Sequence, residues 1–238
     1  MNGAEVLVHG DHWAEAHQKA QEIASSPDVA LIHPFDHPEI WEGHESIIIE
    51  AKKQLPSKPS AVVCSVGGGG LLIGVVHGLR RVGWDDVPVI TVETEGAESF
   101  ALSVKANELI TLPGITSIAK TLGATRVSEQ AFQYSKEHKI ISKVVTDSEA
   151  VDALCRFADD HRCLVEPACV CCQLSPNASS INLMSSFVNQ LQAASLAVLY
   201  NSKKYLSDLD LQNGVLAIVC GGSGVSLDMI SQWRSELL

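Results

Sequence analysis

Between Ala61 and Val82 the sequence reads AVVCSVGGGGLLIGVVHGLRRV: a short β-branched apolar run, four consecutive glycines, then a run with helical spacing. A strand that turns through glycine into a helix aims several backbone N–H groups, and the positive end of the helix dipole, at one point. Anions, phosphate above all, bind well there. Without Cβ atoms, Gly67, Gly68, Gly69 and Gly70 let an anion approach the backbone closely. One glycine would serve an ordinary turn and four cost chain entropy, so the loop points to phosphate binding. Spacing then removes two ligand classes. A nucleotide P-loop ends in Gly-Lys-Ser/Thr, and Leu71-Leu72 stands in that place. The dinucleotide fingerprint G-x-G-x-x-G fails in every register, because Leu72 and Ile73 fall where the third glycine is required. Gly70, Gly74 and Gly78 recur every fourth residue and form a small-residue stripe, which is expected to lie close against a sheet.

A phosphate site raises the question of what carries the phosphate, and the overall charge excludes one class. The chain bears a net charge of -11 and has no Lys/Arg cluster, so a nucleic acid is not the expected partner. No apolar run reaches the length of a membrane-spanning helix, and no basic-then-apolar leader opens the sequence; a soluble, cytosolic protein is expected. Seven cysteines, odd in number and scattered, fit reduced thiols rather than a disulfide framework.

Taken in order, Ala4–Val8 reads as a strand, Asp11 to Ser25 as a helix capped by Asp11, and Val29–Ile32 as a second strand, together a βαβ unit. The proline-punctuated connector His33-Pro-Phe-Asp-His-Pro38 marks the domain boundary, and Pro38 opens a segment that becomes an amphipathic helix around Gly43 to Leu55. The glycine loop and its helix to Gly83 follow, then the buried-type strand Pro88–Glu93. Thr94 to Gly123 reads as loop, short helix and turns. Beyond it come a helix over Ser128–His138, a strand over Lys143–Asp147, and a helix over Glu149–Asp160 capped by Asp147 and Ser148. Gly214–Cys220 is a further strand, running into Gly221-Gly-Ser-Gly224 and a final helix to Leu238. Strands alternating with helices, without hairpin signals, predict an α/β fold: a mostly parallel sheet with helices on both faces.

One region departs from this pattern. Val170 to Ser202 holds no Asp, Glu, Lys or Arg and little periodicity, and it reads as an insertion. Cys169, Cys171 and Cys172 lack the paired C-x-x-C spacing of a structural zinc site and have no nearby histidine. Asn177-Ala-Ser179 matches the glycosylation pattern but is expected to be inert in a cytosolic protein.

The glycine loop, Trp41-Glu-Gly-His44, Thr116-Ser-Ile-Ala119, Val165-Glu-Pro-Ala-Cys169 and Val219-Cys-Gly-Gly-Ser223 occur in one order. In this the chain closely resembles the vertebrate L-serine dehydratase/L-threonine deaminase family, of the tryptophan-synthase-β-like group of pyridoxal-phosphate (PLP) enzymes. The resemblance covers residues 1 to about 169 and about 194 to 238. It implies residues 1–37 as the remnant of a small domain and 38–238 as a large PLP-binding domain interrupted at 170–193. It also implies that Gly67, Gly68, Gly69 and Gly70 hold the PLP phosphate and that Cys220 faces the pyridine nitrogen. A thiol is a weak, neutral partner for that nitrogen, which leaves the ring a moderate electron sink suited to elimination. A monovalent cation such as K⁺ is implied between the carboxylate of Glu93, Ala97, and the backbone oxygens of Gly67, Leu122 and Ala124; such oxygens suit a hard cation. Glu166 falls near the cofactor edge in the family, with no chemical role assigned. None of the nine histidines forms a catalytic or metal grouping visible by spacing.

The family activity is α,β-elimination from L-serine or L-threonine to pyruvate or 2-oxobutyrate plus ammonia, by a cytoplasmic homodimer in amino-acid catabolism and gluconeogenesis. Family members carry a Ser-x-Lys-x-Arg-Gly type motif, whose lysine bonds to PLP and takes the Cα proton, and a Ser-x-Gly-Asn loop that grips the substrate carboxylate. Neither motif occurs in this sequence, which aligns from about a hundred residues into the family pattern. The expectation is a noncovalently held cofactor and little or no turnover from this chain as written. Two alternatives stand beside it: a catalytically dead dimer partner or non-functional splice or gene-model fragment, and a relative of serine racemase, whose group places Ser rather than Cys at the ring.

Overall fold

Strand β1 (Ala61–Ser65) and strand β2 (Val89–Thr94) are buried at every residue, which requires cover on both faces of the sheet and explains their β-branched apolar content. They belong to the computed structural model of this chain, which describes residues 4–10, 13–167, 194–219, 221 and 224–238. Two more strands, β3 (Ile140–Val145) and β4 (Val215–Ala217), complete a four-stranded sheet of order β3-β2-β1-β4. All three pairings are parallel, with Val63 opposite both Ile90 and Ala217. The predicted strand over Lys143–Asp147 is therefore shifted toward the N-terminus, and the strand predicted over Gly214–Cys220 keeps only its first half as ladder.

Two groups of helices cover this sheet. In the first, α3 (Gly70–Arg81) packs on β1, with α2 (Pro38–Gln54) and α5 (Glu129–Glu137) against it. In the second, α7 (Ala194–Tyr200) packs on β1, β2 and β3, with α6 (Asp147–His161) against it and α9 (Leu227–Leu237) against α6. The remaining helices are short: α1 (Trp13–Ile23), α4 (Ser99–Ala106), a 3-10 turn at Lys120–Leu122, and α8 (Ser202–Tyr205). Among the described residues, no helix is long and apolar enough to cross a membrane.

Two members of the glycine stripe, Gly74 and Gly78, face a helix rather than the sheet. A Cβ on Gly78 would stand 2.7 Å from Ile48 Cβ, and one on Gly74 would stand 2.7 Å from the Trp41 carbonyl and overlap His44 Cβ. The sheet contact is left to the large side chains of α3, where Leu72, Ile73, Val75, Val76 and Leu79 are all fully buried. Bare backbone on the opposite side lets α2 approach closely, and α2 buries Glu45, Ile48 and Ala51 there.

The βαβ unit predicted before the connector does not form. Residues 4–9 and 29–33 carry no ladder, and Val6, Val8 and Ile32 are about four-fifths exposed. Alternation gives strand character only where a neighbour supplies the hydrogen bonds, and none of β1 to β4 pairs with these segments. Helix α1 does form, although it buries no residue fully; its predicted cap Asp11 lies outside the described residues. Helix α2 begins at Pro38, ahead of the expected start near Gly43, because proline suits the first helical position and the His37 side chain accepts from Glu39 N.

Candidate functional site

In a parallel sheet every strand ends at the same edge, so the loops after β1, β2, β3 and β4 gather on one side. The strand order reverses between β1 and β4, and the crevice beyond the carboxyl ends of such a pair is where open α/β sheets bind ligands. The glycine loop occupies one lip of this crevice. The other lip follows β4, where Ile218 N still donates to Val63 O. Cys220, the residue expected to face the cofactor ring, lies outside the described residues.

Gly69 is the N-cap of α3 with φ of 95°, a left-handed value that favours glycine, and its carbonyl accepts from Ile73 N at 3.0 Å. The amides of Gly69, Gly70, Leu71 and Leu72 are the four that an α-helix leaves without an intrahelical acceptor. They converge at the positive end of the α3 dipole. Ser128 N donates to the Gly68 carbonyl at 3.0 Å, tying the loop to the start of α5.

The structure changes the explanation of the glycines. A Cβ on Gly67 would stand 3.2 Å from the Leu122 backbone, and one on Gly69 would stand 2.6 Å from Ala131 Cβ. A Cβ on Gly68 would fall inside the Phe35 ring, and one on Gly70 would meet the Phe35 backbone, 3.0 Å from its Cα. Protein neighbours, not an anion, take the space that side chains would fill. What remains for a ligand is the run of amides, and a donor set of successive N–H groups on a helix dipole suits a phosphate ester. The residues present thus fit the phosphate of PLP.

Glu93 ends inside the protein, fully buried, its Oε1 accepting from Phe100 N at 2.9 Å and its Oε2 from Ala101 N at 2.7 Å. Burial pushes its carboxyl up to about 8, against the opposing pull of those two amides, and the neighbouring Glu98 carboxylate adds to the rise. Glu93 therefore anchors the N-terminus of α4. Glu98 Oε2 and Ser99 Oγ are buried beside it with no hydrogen-bond partner among the described residues. Of the other oxygens expected around a cation, those of Gly67 and Leu122 belong to adjoining backbone, and Leu122 O accepts from Ala124 N at 2.7 Å. Ala97 is buried, its N donating to Thr94 O. Glu166 holds the loop after β4 in place, its N donating to Gly221 O and its Oε1 accepting from Gly224 N, both at 3.1 Å.

Sequence spacing missed three side-chain arrangements because their members are far apart in the chain. His77 stands between Glu45 and Tyr134, with its Nε2 2.6 Å from the phenol oxygen and its Nδ1 3.3 Å from Glu45 Oε1. Asp147, predicted to cap α6, instead accepts from Ser117 Oγ at 2.6 Å and from Ile118 N at 3.0 Å. Thr146 is the actual cap and forms a reciprocal box with Glu149. The third is Phe35, whose position over the glycine loop no local signal announces.

A doubly wound α/β protein with a glycine-lined anion cradle at its switch crevice is the class that fold and site define. Residues 1–172 match the family described as pyridoxal-phosphate dependent enzyme. An L-serine dehydratase/L-threonine deaminase of Bos taurus is 46% identical over 236 residues, covering 99% of this chain and 67% of that protein. A serine dehydratase-like protein of Mus musculus is 43% identical over 235 residues, covering 99% and 66%. The crystal structure of an L-serine ammonia-lyase from Rhizomucor miehei superposes with a TM-score of 0.80 at 33% identity, covering 98% of this chain and 67% of that one. The chain belongs to the pyridoxal-phosphate-dependent enzyme family, and it spans about two-thirds of the length of these relatives.

Proposed function

We propose that this chain carries the PLP-binding part of an L-serine/L-threonine ammonia-lyase, whose reaction eliminates water from the amino acid and releases pyruvate or 2-oxobutyrate plus ammonia. The observation that carries the reading is the α3 N-terminus at the switch crevice, its amides from Gly69 to Leu72 left without an acceptor inside the helix, in a chain of this family. Bound there, the cofactor supplies an electron-withdrawing ring that labilises the Cα proton of an attached amino acid. The chain's own part is to grip the phosphate through residues 67–72, to hold the loop by Ser128 N, and to offer Cys220 to the ring nitrogen. The 238 residues contain no Ser-x-Lys-x-Arg-Gly motif, so this polypeptide by itself holds the cofactor without a covalent bond.

Three further assignments go with the reading. Residues 1–37 form the remnant of the small domain and 38–238 the large one, with 170–193 inserted. A K⁺ ion sits at Glu93, Ala97 and the carbonyls of Gly67, Leu122 and Ala124, where a cation would favour the ionised form of the buried Glu93 carboxyl that burial alone disfavours. The assembly is a cytosolic homodimer. Titration of the purified chain with PLP tests the core of the proposal. The expected result is a saturable change in cofactor absorbance and a raised melting temperature, both lost in Gly69→Ala; a spectrum identical to free PLP at saturating protein would refute it.

A further inference from the structure

Phe35 is held in place on three sides. Its N and the N of Asp36 both donate to His33 Nδ1, at 3.2 and 2.7 Å, and its carbonyl accepts from Trp41 Nε1 at 2.8 Å. Its ring meets those of His33 and Trp13, with centroids 4.7 and 5.0 Å away, while His17 of α1 closes the cluster at 4.8 Å from His33. The fourth side is the glycine loop: ring against Gly68, backbone against Gly70. Two of the four glycines are thus fitted to this one residue. We propose that Phe35, fixed by the Nδ1 acceptor of His33, is a positioning residue that clamps the glycine loop in its anion-binding shape and releases it when His33 takes up a proton. The inference rests on the phosphate-ester reading of that loop.

The chemistry of the imidazole makes the clamp conditional. Both amide donors face the same ring nitrogen, so Nδ1 must carry a lone pair and the proton must sit on Nε2. Protonating Nδ1 turns one acceptor into a donor opposed to two others, and both bonds are lost. The titratable groups acting on His33 are His17 from α1 and Asp36 and His37 from its own turn. Burial, aided by His17 and His37 and opposed by Asp36, holds the imidazole below its ordinary range, so the clamp is closed at neutral pH and opens only as the pH falls through that lowered titration. The clamp acts through the loop, by the contacts of Phe35 with Gly68 and Gly70.

The test uses the full chain and four variants, followed by hydrogen exchange of the amides at 67–72 without cofactor and by PLP titration, at neutral pH and at lower pH values until the His33 imidazole, read by NMR, is protonated. His33→Asn keeps a side-chain acceptor that does not titrate, and His33→Ala removes it. Phe35→Ala removes the ring, and Trp41→Phe removes only the Nε1 donor. Expected are loop exchange, corrected for intrinsic rate, that rises about tenfold and a matching loss of PLP affinity of about tenfold, in His33→Ala from two lost hydrogen bonds and in Phe35→Ala from the lost ring contact with Gly68. Wild type should show the same loosening once His33 is protonated, and His33→Asn should stay tight over the whole pH series. If His33→Ala does not fold by circular dichroism, Trp41→Phe carries the comparison. Loop exchange that ignores His33→Ala or Trp41→Phe, or His33→Asn that follows pH as wild type does, would overturn the clamp. A loop that responds while PLP fails to bind to wild type would sink the cofactor reading and leave the clamp standing.

Discussion

Raising the pH from 5 to 8.5 should unfold this protein more easily through Glu93. The carboxyl is fully buried and its value rises from 4.5 to about 8 in the native state. As pH increases through 4.5 the unfolded chain gives up its proton first, while the native state keeps it until about 8. Native protein binds more protons across that window, so stability present below 4.5 is lost progressively and levels off above 8. At 1.36 kcal/mol per pH unit the loss is about 5 kcal/mol. For a chain of this size that lowers the melting temperature by roughly 10–20 °C. Glu93→Gln lacks the titration. It forfeits one of two carboxylate acceptors, at a pH-independent cost of about 1–3 kcal/mol. Melting wild type and Glu93→Gln in tetramethylammonium chloride should therefore give a gap that changes steadily with pH. Replacing the salt by potassium chloride should flatten the wild-type curve alone, because a bound cation favours the ionised carboxylate. Parallel curves for the two proteins would refute the account of Glu93, and no potassium effect would refute the cation.

Gly74→Val should force α2 away from α3, since even a Cβ there overlaps His44; a loss of about 1–3 kcal/mol in urea unfolding is expected. Gly69→Ala should lose about 1–2 kcal/mol from left-handed strain, more if Ala131 at 2.6 Å cannot yield, together with the PLP-induced absorbance change. Asp147→Ala leaves Ser117 Oγ and Ile118 N without their acceptor, and a loss of about 1–3 kcal/mol should appear in the same unfolding assay. Thr146→Ala removes the capping box of α6 and should cost about 1 kcal/mol, with a parallel drop in far-ultraviolet helicity on mild heating.

The elements most legible in the sequence are those whose neighbours make their pattern true. β1 and β2 are continuous apolar runs because they lie inside the sheet, and α3 starts where glycine frees its first amides. Apolar strand-like runs mislead at residues 4–8 and 29–32 for the converse reason: the ladder that would make them strands is not there to pair with. Sequence places the cap of α6 at Asp147 and Ser148, past the actual cap Thr146, because all three are good cap residues, and only the loop at 116–119 decides that Asp147 is needed elsewhere. The stripe of Gly74 and Gly78 signals a close approach correctly but not to what, since spacing fixes a face and not its neighbour.

The glycine loop shows how steric and chemical explanations of one motif combine. Each glycine has a protein neighbour that excludes a side chain, and on that ground alone the loop could be a packing device. Packing, however, acts on the Cβ side of each residue, whereas an anion is met on the amide side. Close contacts with Phe35, Leu122 and Ala131 fix the backbone from without and leave Gly69 to Leu72 with the amides that the helix cannot satisfy. A loop with only small residues and no such contacts would lose conformational entropy on binding an anion; one already wedged has lost it during folding. The tight packing that weakens the first argument for the motif thus strengthens the second, because it presents the donors in a fixed arrangement before any phosphate arrives.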